Sequence, residues 1–421
     1  MSFQARNRIE GIAEEEIDNV LSTGETVIEL TADGVSAQNS WCGPIKFSRM
    51  VASGIQSECL GKPDVDLNEL SQFLTDAQDF VFGYFSYNFK NCLEHLSSNN
   101  PDSIGFPSFH FFVPRDIYVQ TQKGWDCYTY GSSQPDKEVS KERTCLGTEL
   151  NSISKEMYCH QVENLQQHIQ FGDIYEVNYC VQHGYENTVV EPYPLYQELQ
   201  QHSPAPFSCF VADNGKYLMS SSPERFVRKE GNRIISQPMK GTNRRTSDNE
   251  KQKEELRNNA KEVAENVMIT DLVRNDLSRS AKKGTVKVDE LCGVYEFEHV
   301  NAMISTVSAE LREDVHPLDA LLNAFPMGSM TGAPKIRAME LIDQFEDFSR
   351  GLYSGAVGYF TPDLDFDFNV VIRSILYNEE KQIVTFPTGG AITINSNPEK
   401  EYEECMLKAE AMRNVLLNHA K

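Results

Sequence analysis

The stretch CFVADNGKYLMSSSPERFVRKEGNRIISQP, residues 209–238, decides what kind of fold this chain can adopt. Short apolar-rich runs are separated by Asn214-Gly215 and by Glu230-Gly231-Asn232. Asn-Gly between two such runs signals a tight antiparallel hairpin, because both central residues take positive φ. The stretch therefore reads as strand, hairpin, strand, turn, strand. Just beyond it, SQPMKGTNRR (236–245) sets Lys240, Arg244 and Arg245 around a glycine. That is either a solvated basic turn or the surround of something negative.

Working outward, KEMYCHQVENLQQHIQFGD (155–173) carries Tyr158, Val162, Leu165 and Ile169 at i, i+4, i+7 and i+11, which predicts a helix ended by Gly172. IYEVNYCVQ (174–182) follows as a strand. A long helix is expected over about 248–282, after Ser247 and Asp248. LDFDFNVVIRSILYNEEKQIVTFPTGGAITI (364–394) again reads as strand, turn, strand and a glycine loop. FVFGYFSYNF (80–89) and FPSFHFFVPRDIYVQT (106–121) look like strands of a packed sheet, and the polar stretch 131–152 like a surface linker. Mixed strands, helices and hairpins argue for an α/β fold of the α+β type and against a pure doubly wound sheet. The expected organisation is a β-rich region at 1–130 packed on a main unit at 153–421.

The 421 residues fit two domains or one large α/β unit, and 40% hydrophobic residues supply a sizeable core. No apolar run reaches the roughly 18–20 residues of a membrane helix, and the first residues turn acidic without an apolar signal core. The expectation is a soluble, cytoplasmic protein with no membrane partner. A net charge of −23 argues against nucleic acid, which is held by neutralising phosphates. It leaves a small anionic ligand open, because that depends on a local pocket. The ten cysteines form no CxxC pair and read as reduced thiols.

Several groups carry possible chemistry. Glu262 and Glu265 fall at i, i+3 on one helix face. In SNPEKEYEECMLKAEAM (396–412), Asn397 is a good N-cap, Pro398 suits the first helical position, and Glu401, Glu404 and Lys408 form one stripe. Two such pairs can hold magnesium, a hard cation taking a few carboxylates plus water. Taken alone, each reads first as a solvated helix face. GSMTGAPKIRAMELID (328–343) lacks the Gly-Lys-Ser/Thr of a phosphate loop, and leaves a turn that serves either structure or an anion at a helix start. Gly389 and Gly390 let a ligand approach the backbone. His299 among apolar residues reads first as a core histidine. Arg373, expected in an apolar strand, needs an anion from the protein or from a substrate.

In this order the pieces resemble the chorismate-utilising enzymes. SSPERF, PMKGT, ENVMITDLVRND, EHVNAMISTV, GSMTGAPKIRAMELID, GLYSGAVGYF, VVIRS and EYEECMLKA follow the family's sequence over roughly 155–415. The resemblance implies a large α/β unit of two β-sheets packed face to face with helices outside. PMKGT is similar to the PIKGT of the aminodeoxychorismate-forming branch; the anthranilate-forming branch has alanine at the position of Lys240. The resemblance implies Lys240 as nucleophile at ring carbon 2 of chorismate and Glu224 as general acid/base toward the leaving 4-hydroxyl, with ammonia adding at carbon 4. It places His299 among the catalytic groups. It implies magnesium on Glu265 and Glu404, with Glu262 and Glu401 supporting them. Arg373 and Tyr353 would grip the enolpyruvyl carboxylate, and Ser329, Thr242, Gly389, Gly390 and Lys408 would line the remainder.

A lysine with pKa about 10.4 is only about 0.04% neutral at pH 7. Arg244 or Arg245, magnesium and burial are expected to lower it. Two positions depart from the family: Ala391 replaces a common third glycine, and Glu176 stands where relatives carry glutamine or, in the isochorismate-forming branch, a base lysine. The missing lysine argues against isochorismate or salicylate formation. No tryptophan-inhibition motif stands out. No glutamine amidotransferase segment is found, so the resemblance implies a separate glutaminase subunit delivering ammonia. The competing expectations are anthranilate formation from chorismate and a non-catalytic protein that binds a similar anion.

Overall fold

The computed structural model describes residues 6–32, 47–61, 67–131, 144–246, 248–298 and 300–420. In chain order, the elements that frame the site begin with β1 (Val27–Thr31), β2 (Arg49–Leu60), β3 (Val81–Phe85), β4 (Phe109–Thr121), α1 (Lys155–Phe171) and β5 (Glu176–Val181). Then come β6 (Ser208–Asp213), β7 (Lys216–Ser220), β8 (Arg225–Glu230), β9 (Arg233–Gln237), β10 (Met239–Arg244), α2 (Ala260–Ser278) and β11 (Val300–Glu310). The remainder are α3 (Lys335–Phe345), β12 (Ala356–Phe360), β13 (Phe366–Asn369), β14 (Ser374–Asn378), β15 (Thr388–Ile392) and α4 (Pro398–His419). No helix among the described residues is long and apolar enough to cross a membrane.

Among the described residues, 19 strands join in one sheet. The 13-residue β4 is its corner, pairing with β2 on one side and with β3 on the other. From it one arm runs β2–β1–β6–β7–β14. The other runs β3–β12–β13–β8–β9–β11–β10. Leu30, Met50, Val211 and Leu218 of the first arm share one buried cluster with Tyr84, Val227, Tyr359 and Phe368 of the second. Alternate residues of the first arm, Val27, Val51, Phe210, Met219 and Ile375, lie in another cluster under the helices Glu14–Ser22, Pro192–His202 and α4. Each fully buried side chain of this size contributes roughly 1.5–3 kcal/mol of transfer free energy. The expected two layers with outer helices are thus present, continuous at β4.

The opening stretch forms its hairpins as expected, with Asn214 at φ 49° and Gly215 at φ 71°. Its first hairpin, β6–β7, lies in one arm and its second, β8–β9, in the other. Residues 221–224 therefore cross between the arms. Residues 370–373 make the reverse crossing, from β13 to β14. The two crossings are stitched side by side: Ser221 N donates to Arg373 O (3.1 Å) and Val370 N donates to Glu224 O (3.0 Å). Ser222 Oγ also donates to Val370 O. A second, three-stranded sheet places β5 between the short strand Gly332–Ala333 and β15.

Helix ends follow the expected chemistry. Ser154 accepts from Met157 N at the start of α1, Gly172 closes it at φ 86°, and Asn397 accepts from Lys400 N ahead of Pro398 in α4. Three expectations fail locally. The helix over 248–282 is broken into Asn249–Arg257 and α2, because Asn259 turns its side chain back to accept from Lys261 N and Glu262 N. Within FSYNF the chain leaves β3 and enters a 3-10 turn at Tyr87–Phe89. Arg373 lies outside any strand, at φ 50°. Residues 132–143 of the expected linker, and Ser247, lie outside the described residues.

Candidate active site

Alternation along β5 builds the floor of the site. Val177, Tyr179 and Val181 point into a cluster with Tyr158, Val162 and Leu165 of α1, Leu341 of α3 and Cys405 of α4. Glu176, Asn178 and Cys180 therefore face the opposite way. Glu176 Oε1 lies 3.4 Å from Lys240 Nζ. Asn178 Nδ2 donates to Ser329 O (3.1 Å), and Cys180 Sγ donates to the Tyr353 hydroxyl (3.9 Å). A buried ion pair fixes this face. Arg350 Nε donates to Glu346 Oε2 (2.9 Å), Nη2 to Asn178 O (2.9 Å) and Nη1 to Met330 O (2.6 Å), while Glu346 Oε1 accepts from Cys180 N (2.9 Å). Gly332, at φ 152°, is required beside β5: a Cβ there would lie 2.2 Å from Glu176 O.

The two crossings deliver the charged groups. Glu224 is 4% exposed. Burial pushes its carboxyl up to about 7, against the opposing pull of the Ser329 hydroxyl, Lys240, the Met239 backbone and Arg373. Arg373 faces Glu224 as its one resolved charged influence, and burial lowers its pKa. No carboxylate among the described residues forms an ion pair with its guanidinium. Tyr353 is buried, and Ser354 N donates to Val371 O (2.8 Å), so its segment runs beside the Arg373 crossing. No hydrogen bond among the described residues joins Tyr353 to Arg373.

Lys240, on β10, has a side chain only 12% exposed. Asn266 Nδ2 on α2 holds its backbone, donating to Lys240 O (3.3 Å) and to Met303 O (3.2 Å). Its pKa is raised, contrary to expectation. Burial pulls it down, but Glu176, Glu265 and Glu224 outweigh that. The arginines thought to depress it point elsewhere: Arg244 is exposed, and Arg245 pairs with Glu296 at 3.6 Å.

α2 and α4 bring the four expected carboxylates to one region. Glu265 and Glu401 are buried; Glu404 is half exposed. Burial pushes Glu265 up to about 7 despite Lys240 and Lys261, and raises Glu262 as well. Glu404 is lowered overall, burial being outweighed by Lys408, Lys261 and Lys240. Lys408 Nζ lies 2.8 Å from Glu404 and donates to Gly389 O (2.9 Å). At Gly390 a Cβ would stand 3.6 Å from Glu401 Oε2 and 4.0 Å from Lys408 Nζ. Lys261 reaches between the helices, 3.0 Å from Glu401 and 3.7 Å from Glu265.

No three His, Cys, Asp or Glu side chains among the described residues converge as a ready ligand set. The donors nevertheless suit a hard divalent ion: all are carboxylate oxygens from two facing helices, and Glu265 Oε1 is buried without a hydrogen bond. Thr242 is exposed on β10, opposite Ala302, and no hydrogen bond among the described residues ties its side chain to the other groups. His299 lies outside the described residues. Asn178, Asn266, Lys261 and the Glu346–Arg350 pair had no role in the sequence reading. Only their distant partners reveal them.

The two-armed sheet brings together a buried acid, amine and guanidinium, Glu224, Lys240 and Arg373. The sequence matches the profile of the chorismate binding enzymes over residues 44–414, and the chain belongs to that family. It is 32% identical over 374 residues to aminodeoxychorismate synthase component 1 of Bacillus subtilis, covering 83% of this chain and 79% of that one. It is 33% identical over 373 residues to anthranilate synthase component 1 of Acetivibrio thermocellus, covering 79% and 74%. The fold matches the crystal structure of anthranilate synthase component I from Streptococcus pneumoniae with a TM-score of 0.76 at 24% identity, over 88% of this chain and 92% of that one.

Proposed function

We propose that this chorismate-utilising enzyme aminates chorismate at carbon 4 to give 4-amino-4-deoxychorismate, acting as an aminodeoxychorismate synthase component I. Overall identity does not separate this reading from anthranilate formation, since the two relatives stand at 32% and 33%. The observation that carries it is a buried lysine amine, Lys240, paired with Glu176 and in the field of Glu224, in a site whose Arg373 forms no ion pair among the described residues.

Arg373 pairs with a substrate carboxylate in place of a protein one. Glu224, about half protonated near neutral pH, gives its proton to the departing 4-hydroxyl, which leaves as water. The neutral Lys240 amine bonds to carbon 2 as that C–O bond breaks. Ammonia then bonds to carbon 4, and the lysine nitrogen leaves carbon 2 with its electron pair. Glu224 recovers its proton from the new ammonium. Glu265 and Glu404, with Glu262 and Glu401 beside them, would hold magnesium. When bound, the ion neutralises a substrate carboxylate among these acids. Ammonia comes from a separate glutamine amidotransferase subunit, and free ammonium substitutes for it in solution.

Mass spectrometry of products from chorismate, magnesium and ammonium tests the reading. Aminodeoxychorismate is expected, turning into para-aminobenzoate only when a lyase is added. Anthranilate without a lyase assigns the chain to the other synthase, and tight chorismate binding without turnover makes it a binding protein.

A further inference from the structure

Three carboxylates face the Lys240 amine: Glu176 from β5, Glu265 from α2 and Glu224 from the crossing between β7 and β8. Two of them have other work in the proposed function, Glu224 at the leaving hydroxyl and Glu265 at the cation. Glu176 has none. Its side chain is 3% exposed, and it forms no other ion pair among the described residues. Its backbone is pinned by the register with Ala333 and by the close pass of Gly332. A carboxylate in such a place is costly: desolvating it amounts to several kcal/mol, recovered only through a partner. An amide of the same shape would hydrogen-bond to the amine without that cost. What the acid adds is the ability to take a proton.

We infer that Glu176 is the base that takes the proton of Lys240 and later returns it, an inference that rests on Lys240 acting as the nucleophile. In this step an Nζ–H bond breaks and a Glu176 Oε1–H bond forms. The freed electron pair of Nζ makes the bond to carbon 2. When ammonia displaces Nζ, the lysine departs as a neutral amine and reclaims the proton from Glu176. The cycle leaves both groups as it found them and needs no further reactant. It also supplies what the raised pKa of Lys240 demands, a local route to the free amine.

The test uses the full chain carrying Glu176→Gln, Glu176→Asp or Lys240→Ala. Carbamylation of Lys240 by cyanate is followed without substrate by peptide mass spectrometry from pH 6 to 10, beside turnover of chorismate with magnesium and ammonium. In Glu176→Gln the labelling midpoint moves down by roughly 1–3 pH units, because an adjacent opposite charge is gone. Its kcat nevertheless falls about 100-fold or more. A more available amine that turns over more slowly is the signature of a lost base, which a purely structural role would not produce. Glu176→Asp keeps the charge, holds the midpoint near wild type and recovers part of the rate, which separates loss of the base from loss of fold. A labelling midpoint that does not move in Glu176→Gln, or a kcat within a few-fold of wild type, overturns the inference. If Lys240→Ala turns over normally, the nucleophile reading falls and takes the inference with it. An inactive Lys240→Ala beside a fully active Glu176→Gln removes only the inference.

Discussion

Replacing Glu224 by glutamine should stabilise the protein in alkaline solution while it destroys catalysis. In the unfolded chain this carboxyl ionises around 4.5; in the folded chain burial delays ionisation to about 7. Between those values unfolding releases a proton, so rising pH favours the unfolded chain. The shift of about 2.5 units corresponds to about 3 kcal/mol. Below 4.5 the wild type retains that stability, and above 7 it has lost it. Glutamine has nearly the same shape and no charge, so the variant escapes the loss. Urea unfolding of both proteins at pH 5 and pH 8 should show the variant gaining about 2–3 kcal/mol relative to wild type between the two. Its turnover should fall about 100-fold or more at either pH. A relative gain below about 0.5 kcal/mol, the range of an indifferent surface change, would mean that Glu224 is not held protonated by burial.

Arg373→Ala removes a guanidinium that forms no ion pair among the described residues, so its melting temperature should stay near wild type. Its KM for chorismate should rise about 10- to 150-fold, the equivalent of losing hydrogen bonds to a charged group; an unchanged KM would place the substrate carboxylate elsewhere. Arg350→Met strands Glu346 in the core beneath β5, and chemical denaturation should report a loss of about 3–5 kcal/mol. A loss under about 1 kcal/mol would show that the pair is not what fixes this face. Glu265→Gln should weaken magnesium binding at least about tenfold in titration calorimetry. Equal affinity in the variant would discard the ligand assignment.

Local structure was legible where single residues punctuate it. Asn214-Gly215 gave the hairpin, Gly172 the end of α1, and Asn397-Pro398 the start of α4. The break before α2 was readable too, in Asn258-Asn259, but lysine- and glutamate-rich sequence on both sides masked it. Arrangement of the arms leaves no local trace, since β3 finds its partner in β12 far along the chain. That part came from the family's motif order. At the site, the i, i+3 glutamates announced their shared faces, whereas Lys261 is recognisable only through Glu401, 140 positions away. The expectation for the Lys240 pKa failed for a similar reason. Sequence neighbours Arg244 and Arg245 were assumed to be spatial neighbours, but three carboxylates from other elements are the groups that face the amine.

The corner strand β4 also has a bearing on how the protein is made. When β1 to β4 leave the ribosome, β3 has only one of its two partners, because β12 begins about 235 residues beyond the end of β4. At about 5–20 residues per second that interval lasts roughly 12–47 s. Throughout it, VFGYF presents an apolar strand with one bare edge, the kind of surface on which nascent chains pair with each other. The bare edge of β3 is covered only when the last sixth of the chain arrives.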